Sequence, residues 1–263
     1  MILGASLQQT LLFLPLSLGL LLSYRITKLT DLTVETSFLT GSAVFVRLLS
    51  YMPFGCALIL GLLSGCVTGG FSSFIQRRGR MNSLMASIIT VFIFFSVNLL
   101  IMDRPHIPLS IDVPVWINVL VISVVVMVLY VLLSSRIGLK LKALGDNSTL
   151  FDDLFHTQEF YRTLGLCISN VLAVTAGLMT SMHQGYVDLY MNQGISLLGI
   201  GTVLVSTTMV DRSSSVISQI LACTFSVWLY FLISHIFLMF DVSTIYLRLI
   251  IGFILVLMLR RGE

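Results

Sequence analysis

Four stretches of this chain, 81–102, 113–135, 189–210 and 213–240, contain no Asp, Glu, Lys or Arg. An α-helix rises about 1.5 Å per residue, so about 20 such residues cover the roughly 30 Å of a bilayer's hydrocarbon. A water-soluble fold has nowhere to hide this surface. Hydrophobic residues make up 57% of the 263 positions and charged residues 10%, against about 45–50% and 25% in soluble domains. Alternation with period two is absent, which argues against a membrane β-barrel. The fold class that follows is an all-α polytopic membrane protein, with 1–263 as a single transmembrane domain.

Nine apolar segments can be read, at 7–24, 36–49, 53–74, 81–102, 115–134, 163–183, 195–210, 216–240 and 244–259. The second and seventh are short for full spans. They are expected to be tilted, broken or re-entrant, which gives eight to ten spans in all. Cytoplasmic loops concentrate Lys and Arg. The loop with Arg77, Arg78 and Arg80, the stretch flanked by Arg136, Lys140, Lys142 and Arg162, and the terminal Arg260 and Arg261 are therefore placed inside. Nine spans then also put Arg25, Lys28 and Arg212 inside, and only Arg47, Arg104 and Arg248 fall on or near the other side. The amino terminus is expected outside. The first positive side chain, Arg25, lies behind the first apolar run, so no cleavable leader is expected.

Cys56, Cys66, Cys167 and Cys223 all sit within apolar runs without CxxC or metal spacing, and read as packing residues. Gly61, Gly65 and Gly69 form one stripe at four-residue spacing, and Ser169, Ala173, Gly177 and Ser181 another. Such stripes let helix backbones approach closely in lipid. Gly199 and Gly201 form a GxG with no preceding strand, which suits helix packing or a break in a short span. The loop 103–114 holds Pro105, Pro108 and Pro114 and reads as a short ordered connector.

Asp31, Thr33 and Glu35 lie between the first two apolar segments. Acidic groups near hydrocarbon usually face a cavity or a partner. They line a solute path or hold a broken helix in place, or else belong to an interfacial loop paired with Arg25 or Lys28. His235 within an apolar run reads as a hydrogen-bonded packing residue. His183, Gln184, Tyr186 and Asp188 sit at the outer end of the sixth segment, as interfacial side chains or as the mouth of a pathway.

The inner stretch 136–162 balances four basic against four acidic residues. Ser148 or Thr149 can cap a short helix there, with Leu150, Phe151, Leu154 and Phe155 on one face. That face suits docking on a partner or on the chain's own spans. No HExxH, GxSxG or GxxxxGK[ST] pattern occurs, so no catalysis, bound cofactor or metal is expected in this chain. If ATP drives it, another subunit binds the ATP and its magnesium. The net charge of +3 carries no signal of nucleic-acid binding.

Three runs resemble a known family. DLTVETSFLTGSAV (31–44), LKALGDN (141–147) and the block 164–205 are similar, in that order, to shared segments of permease subunits of binding-protein-dependent ABC importers. The class is that of branched-chain amino acids and ribose, and within it the resemblance is to a short group of amino-acid, including tryptophan or tyrosine, importers. It implies a permease in a bacterial inner membrane. It also implies a second permease copy, cytoplasmic ATP-binding subunits and an extracytoplasmic substrate-binding protein as partners. Gly145, Asp146 and Asn147 would open the segment touching the ATPase. The family usually continues with a proline and a Gly-containing helix, where this chain has STLFDDLFHTQEF. An ion-coupled secondary transporter is the rival from another class, but midplane acids and clear internal repeats are lacking.

Overall fold

Proline cannot supply a helix N–H, yet the first helix, α1 (Ile2–Leu20), carries Pro15 in its interior. The computed structural model describes residues 2–77, 81–111, 113–147, 151, 157–211 and 214–240. Beyond Leu20 the first helix widens into a π-turn, Leu21–Ile26, closed by a hydrogen bond from Thr27 N–H to the Leu22 carbonyl at 2.9 Å. The chain then turns at Lys28, with φ 54°.

There follow α2 (Thr33–Leu48), α3 (Phe54–Gln76) and α4 (Ser83–Met102). Next come β1 (His106–Pro108), α5 (Val115–Ser134), α6 (Arg136–Asp146) and α7 (Gln158–Gln184). Beyond these lie β2 (Tyr186–Asp188), α8 (Ile195–Met209) and α9 (Val216–Met239). Six of the described helices are long and apolar enough to cross a membrane: α1 with its π-turn, α3, α4, α5, α7 and α9. The protein is an all-α polytopic membrane protein. Segment boundaries agree with the apolar runs to within a few residues. The larger differences are α1, which begins before position 7, and α7, which begins at Gln158, ahead of position 163. The segment 244–259 lies outside the described residues.

The interior is organised around α2 and α7. Polar and small residues are buried there beside the hydrophobic ones: Thr33, Thr36, Ser37, Thr40, Gly41 and Ser42 of α2 are all buried, as are Phe38, Leu39 and Phe45. α2 runs parallel to α7, with Ser37 on Asn170 and Gly41 against Val174. α3 runs antiparallel to α7. Gly65 lies on the Val171 backbone, Gly69 on Leu166 and Cys167, and Ser73 on Thr163. A β-carbon added at Gly65 would stand 2.8 Å from Val171 Cα, and one at Gly177 would stand 1.9 Å from the Phe38 carbonyl oxygen. Both small-residue stripes are therefore helix–helix seams. They serve different neighbours, because Ser169 bonds the Gly19 carbonyl of α1 and Gly177 abuts α2.

One end of the bundle is tied by β1 and β2, antiparallel with Ile107 opposite Val187. Sequence alone gave no sign of this pair, since three residues are too few for a periodic signal. It joins the α4–α5 connector to the α7–α8 connector, and His106 Nδ1 lies 3.5 Å from Asp188 Oδ2. Arg47, over the Tyr51 ring, and Arg104 belong to this end. Arg77, Lys140 and Arg162 gather at the other, where Arg77 bonds Glu159 and Lys140 lies 5.3 Å over the Tyr161 ring.

Candidate functional site

Backbone N–H groups in the first turn of a helix have no partner within it, so something else must supply an acceptor. For α2 that acceptor is Asp31. Its Oδ1 accepts from the Thr33 backbone N–H at 2.9 Å and from the Thr33 hydroxyl at 2.5 Å. Its Oδ2 accepts from Asn170 Nδ2 at 3.0 Å. The same Asn170 amide donates to the Leu166 carbonyl at 2.8 Å, and its Oδ1 faces the hydroxyls of Thr33 and Ser37 at 3.0 and 2.5 Å. Ser37 lies 2.5 Å from the Thr68 hydroxyl of α3. A buried polar chain thus runs from Asp31 through Asn170 to α3, with Asp31 only 3% exposed and Thr33 and Asn170 fully buried. Buried polar groups persist in such a place only when satisfied, and these are satisfied by one another.

Glu35 does the corresponding work for α8. Its Oε1 accepts from Gly194 N–H at 3.1 Å, and its Oε2 accepts from the Ser196 hydroxyl. The Asn192 amide donates to the Glu35 carbonyl oxygen at 3.1 Å. A carboxylate at a helix N-terminus satisfies orphan donors and faces the positive end of the helix dipole. α8 therefore starts beside the first turn of α2, inside the bundle. With 15 residues it is about 22 Å long, short of a full crossing. That is the physical reason the seventh apolar segment is short.

The hydrogen-bond partners that Asp31, Thr33 and Glu35 find are neutral hydroxyls, carboxamides and backbone N–H groups, in place of the Arg25 or Lys28 pairing of an interfacial loop. Arg25 instead donates to the Val210 carbonyl at the end of α8. Sequence reasoning missed Asn170, Asn192, Ser37 and Thr68. Asn170 carried the one usable signal, an uncharged polar residue near the middle of a long apolar segment.

The inner stretch is placed only in part. α6 folds back on the bundle with Leu141, Leu144 and Gly145 buried, while Asp146 and Asn147 are exposed. They border a cleft of about 390 Å³ with Thr27, Lys28, Gln158 and Arg162. Phe151 is 2% exposed and packs edge-on to Tyr161 of α7 at 5.6 Å. It faces this chain's own spans. Leu150, Leu154 and Phe155 lie outside the described residues. His235 Nδ1 bonds the Phe231 carbonyl at 2.8 Å, as a packing histidine would. His183 meets Gln8 of α1, while Tyr186 and Asp188 belong to the β-pair.

Comparison with known proteins supplies a context for this arrangement. Residues 2–259 match the family described as the permease component of branched-chain amino acid transport systems. A protein of Rickettsia prowazekii (strain Madrid E), described as uncharacterized, is 38% identical over 269 residues, covering 97% of this chain and 95% of the relative. A tyrosine transport system permease protein of Clostridioides difficile (strain R20291) is 25% identical over 214 residues, covering 78% of this chain and 72% of that one. No solved structure matches the chain.

Proposed function

Because the chain belongs to the family of permease components of branched-chain amino acid transport systems, we propose that it is the membrane subunit of an ATP-driven importer for an amino acid or a related small organic solute. A permease component is not itself an enzyme. In this reading ATP and magnesium are bound by a cytoplasmic partner, substrate is delivered by an extracytoplasmic binding protein, and a second copy of the chain completes the pathway in a bacterial inner membrane. An aromatic amino acid is the first substrate to try, because the C. difficile relative is described as a tyrosine permease.

The observation that carries the proposal is the anchoring of α8 by Glu35. An alternating-access carrier needs an element with two stable placements. A helix too short to cross, held at its N-terminus by one carboxylate and packed beside a buried polar chain, is suited to that role. Asp31, Thr33 and Glu35 then stand beside the pathway as the groups that set where α2 and α8 begin. At the end of the bundle that carries Arg77, coupling to the ATPase falls to the 136–162 stretch, through exposed Asp146 and Asn147 and the exposed Ile137 and Leu139 of α6. Phe151 supports that surface from behind.

The test is uptake of radiolabelled tyrosine and leucine into proteoliposomes that hold this chain, its ATPase and its binding protein. ATP-dependent uptake is expected, with loss on Glu35→Ala although the complex still assembles. Uptake by the chain alone, driven by an ion gradient, would overturn the proposal.

A further inference from the structure

The ends of α3 and α7 that carry Arg77 enclose a cleft of about 400 Å³ lined by Ser73, Phe74, Arg77, Glu159, Phe160 and Arg162. Its floor is polar, with Ser73 Oγ 2.5 Å from Thr163 Oγ1. Two guanidinium groups there face one carboxylate, because Glu159 accepts from Arg77 Nε at 2.7 Å and Arg162 lies in the same cleft. That bond uses one of the five N–H donors of the Arg77 group. Among the described residues that line the cleft the balance is one positive charge, at the tip of two helices apolar enough to span a bilayer.

The flanks are the opposite in character. Phe74 is 69% exposed and Phe160 is 60% exposed. Leading away from the cleft, α3 presents exposed Val67, Leu63 and Ile59 at four-residue spacing, so they lie on one face of the helix. Gly70, between Phe74 and Val67, has open space where a side chain would stand. A positive cleft thus adjoins an exposed apolar face of α3 that runs along the helix. A soluble anion would use the guanidinium groups and leave the rings and this apolar face unused. An amphiphile with an anionic head and an acyl chain uses all of them.

We propose that this cleft binds the phosphate of an anionic phospholipid, with one acyl chain lying along Phe74, Gly70 and Val67. Guanidinium groups suit the site because their planar donors match phosphate oxygens two at a time. The inference does not depend on the importer reading, since it concerns one chain in a bilayer.

The experiment is thermal unfolding of the delipidated, detergent-purified chain with equal additions of phosphatidylglycerol, phosphatidylcholine or soluble glycerol 1-phosphate. Phosphatidylglycerol is expected to raise the midpoint by about 3 °C or more, and the other two by much less. The pair Arg77→Gln and Arg162→Gln should abolish that rise while leaving the lipid-free midpoint nearly unchanged. Equal rises from the two lipids would overturn the site, as would a rise that survives in the double variant. A full rise from glycerol 1-phosphate would mark a soluble-anion site instead. If the double variant does not fold, Glu159→Gln decides the matter. Removing the competing carboxylate should preserve or enlarge the phosphatidylglycerol rise, and a diminished rise refutes the proposal. Loss of self-association in the double variant without any lipid dependence would show that a second copy occupies the cleft.

Discussion

Asn170 is engaged on every side: its two amide hydrogens go to Asp31 and Leu166, and its oxygen accepts from Ser37 and lies 3.0 Å from the Thr33 hydroxyl. Such a residue resists substitution because donors and acceptors must alternate along the chain of bonds. Asp31→Asn illustrates this. If its oxygen stays on Thr33, its new amide faces the Asn170 amide, donor against donor, at a cost of about 1–3 kcal/mol. Adding Asn170→Asp restores an acceptor opposite that amide. The double variant is expected to recover part of the thermal stability lost by Asp31→Asn alone, and strictly additive losses would show that the two side chains do not interact. Phe151 makes a second test at this scale. Buried against Tyr161, it should cost about 3 kcal/mol on truncation to Ala. The loss would be seen as a lower unfolding midpoint of the chain alone. A variant with an unchanged midpoint but weakened ATPase association would return Phe151 to the docking surface.

Among the elements, the seams of α7 decide whether the bundle forms. At Gly177 an added methyl group would overlap the Phe38 carbonyl, and at Gly69 it would stand 2.7 Å from the Leu166 carbonyl. Backbone cannot yield as a flexible side chain can, so both helices would have to separate along the seam. Gly70, one position from Gly69, meets nothing within 4 Å. Gly177→Ala and Gly69→Ala should sharply reduce the monodisperse yield on size exclusion. Gly70→Ala should be tolerated or stabilising by up to about 1 kcal/mol through helix propensity. Equal yields for Gly69→Ala and Gly70→Ala would mean that α3 is rotated away from α7. The stripes were legible in the sequence because spacing by four places residues on one face. Which helix each stripe meets was not, because that depends on contacts between segments about 100 to 150 residues apart.

At the scale of the whole molecule, the fold separates the charges without regard to any membrane. Arg77, Lys140 and Arg162 come together at one end, and Arg47 and Arg104 at the end closed by the β-pair. The described residues of two inner-facing stretches inferred from the charge bias are thereby brought to a single face, although they lie far apart in the chain. Arg78, Arg80, Arg212, Arg260 and Arg261 lie outside the described residues. The expected orientation places the Arg77 end in the cytoplasm. In a cysteine-free background, Arg104→Cys should react with an impermeant maleimide on intact cells. Gly79→Cys should react only after permeabilisation. The opposite pattern would invert the molecule.

Hydrophobic runs determined the helices, their number within narrow limits and the class of protein, because an apolar segment of bilayer length has one stable way to satisfy its backbone in lipid. The three family-like runs likewise determined the permease assignment. What those runs could not specify is how the two short segments begin. Asp31 and Glu35 were visible as acids near hydrocarbon, but their partners Asn170, Asn192 and Ser196 lie more than 130 residues away. Only tertiary packing brings α7 and the start of α8 against the first turn of α2. There Asn170 completes the cap that the neighbouring Asp31 places on α2, and Glu35 supplies the acceptors that the start of α8 cannot supply for itself.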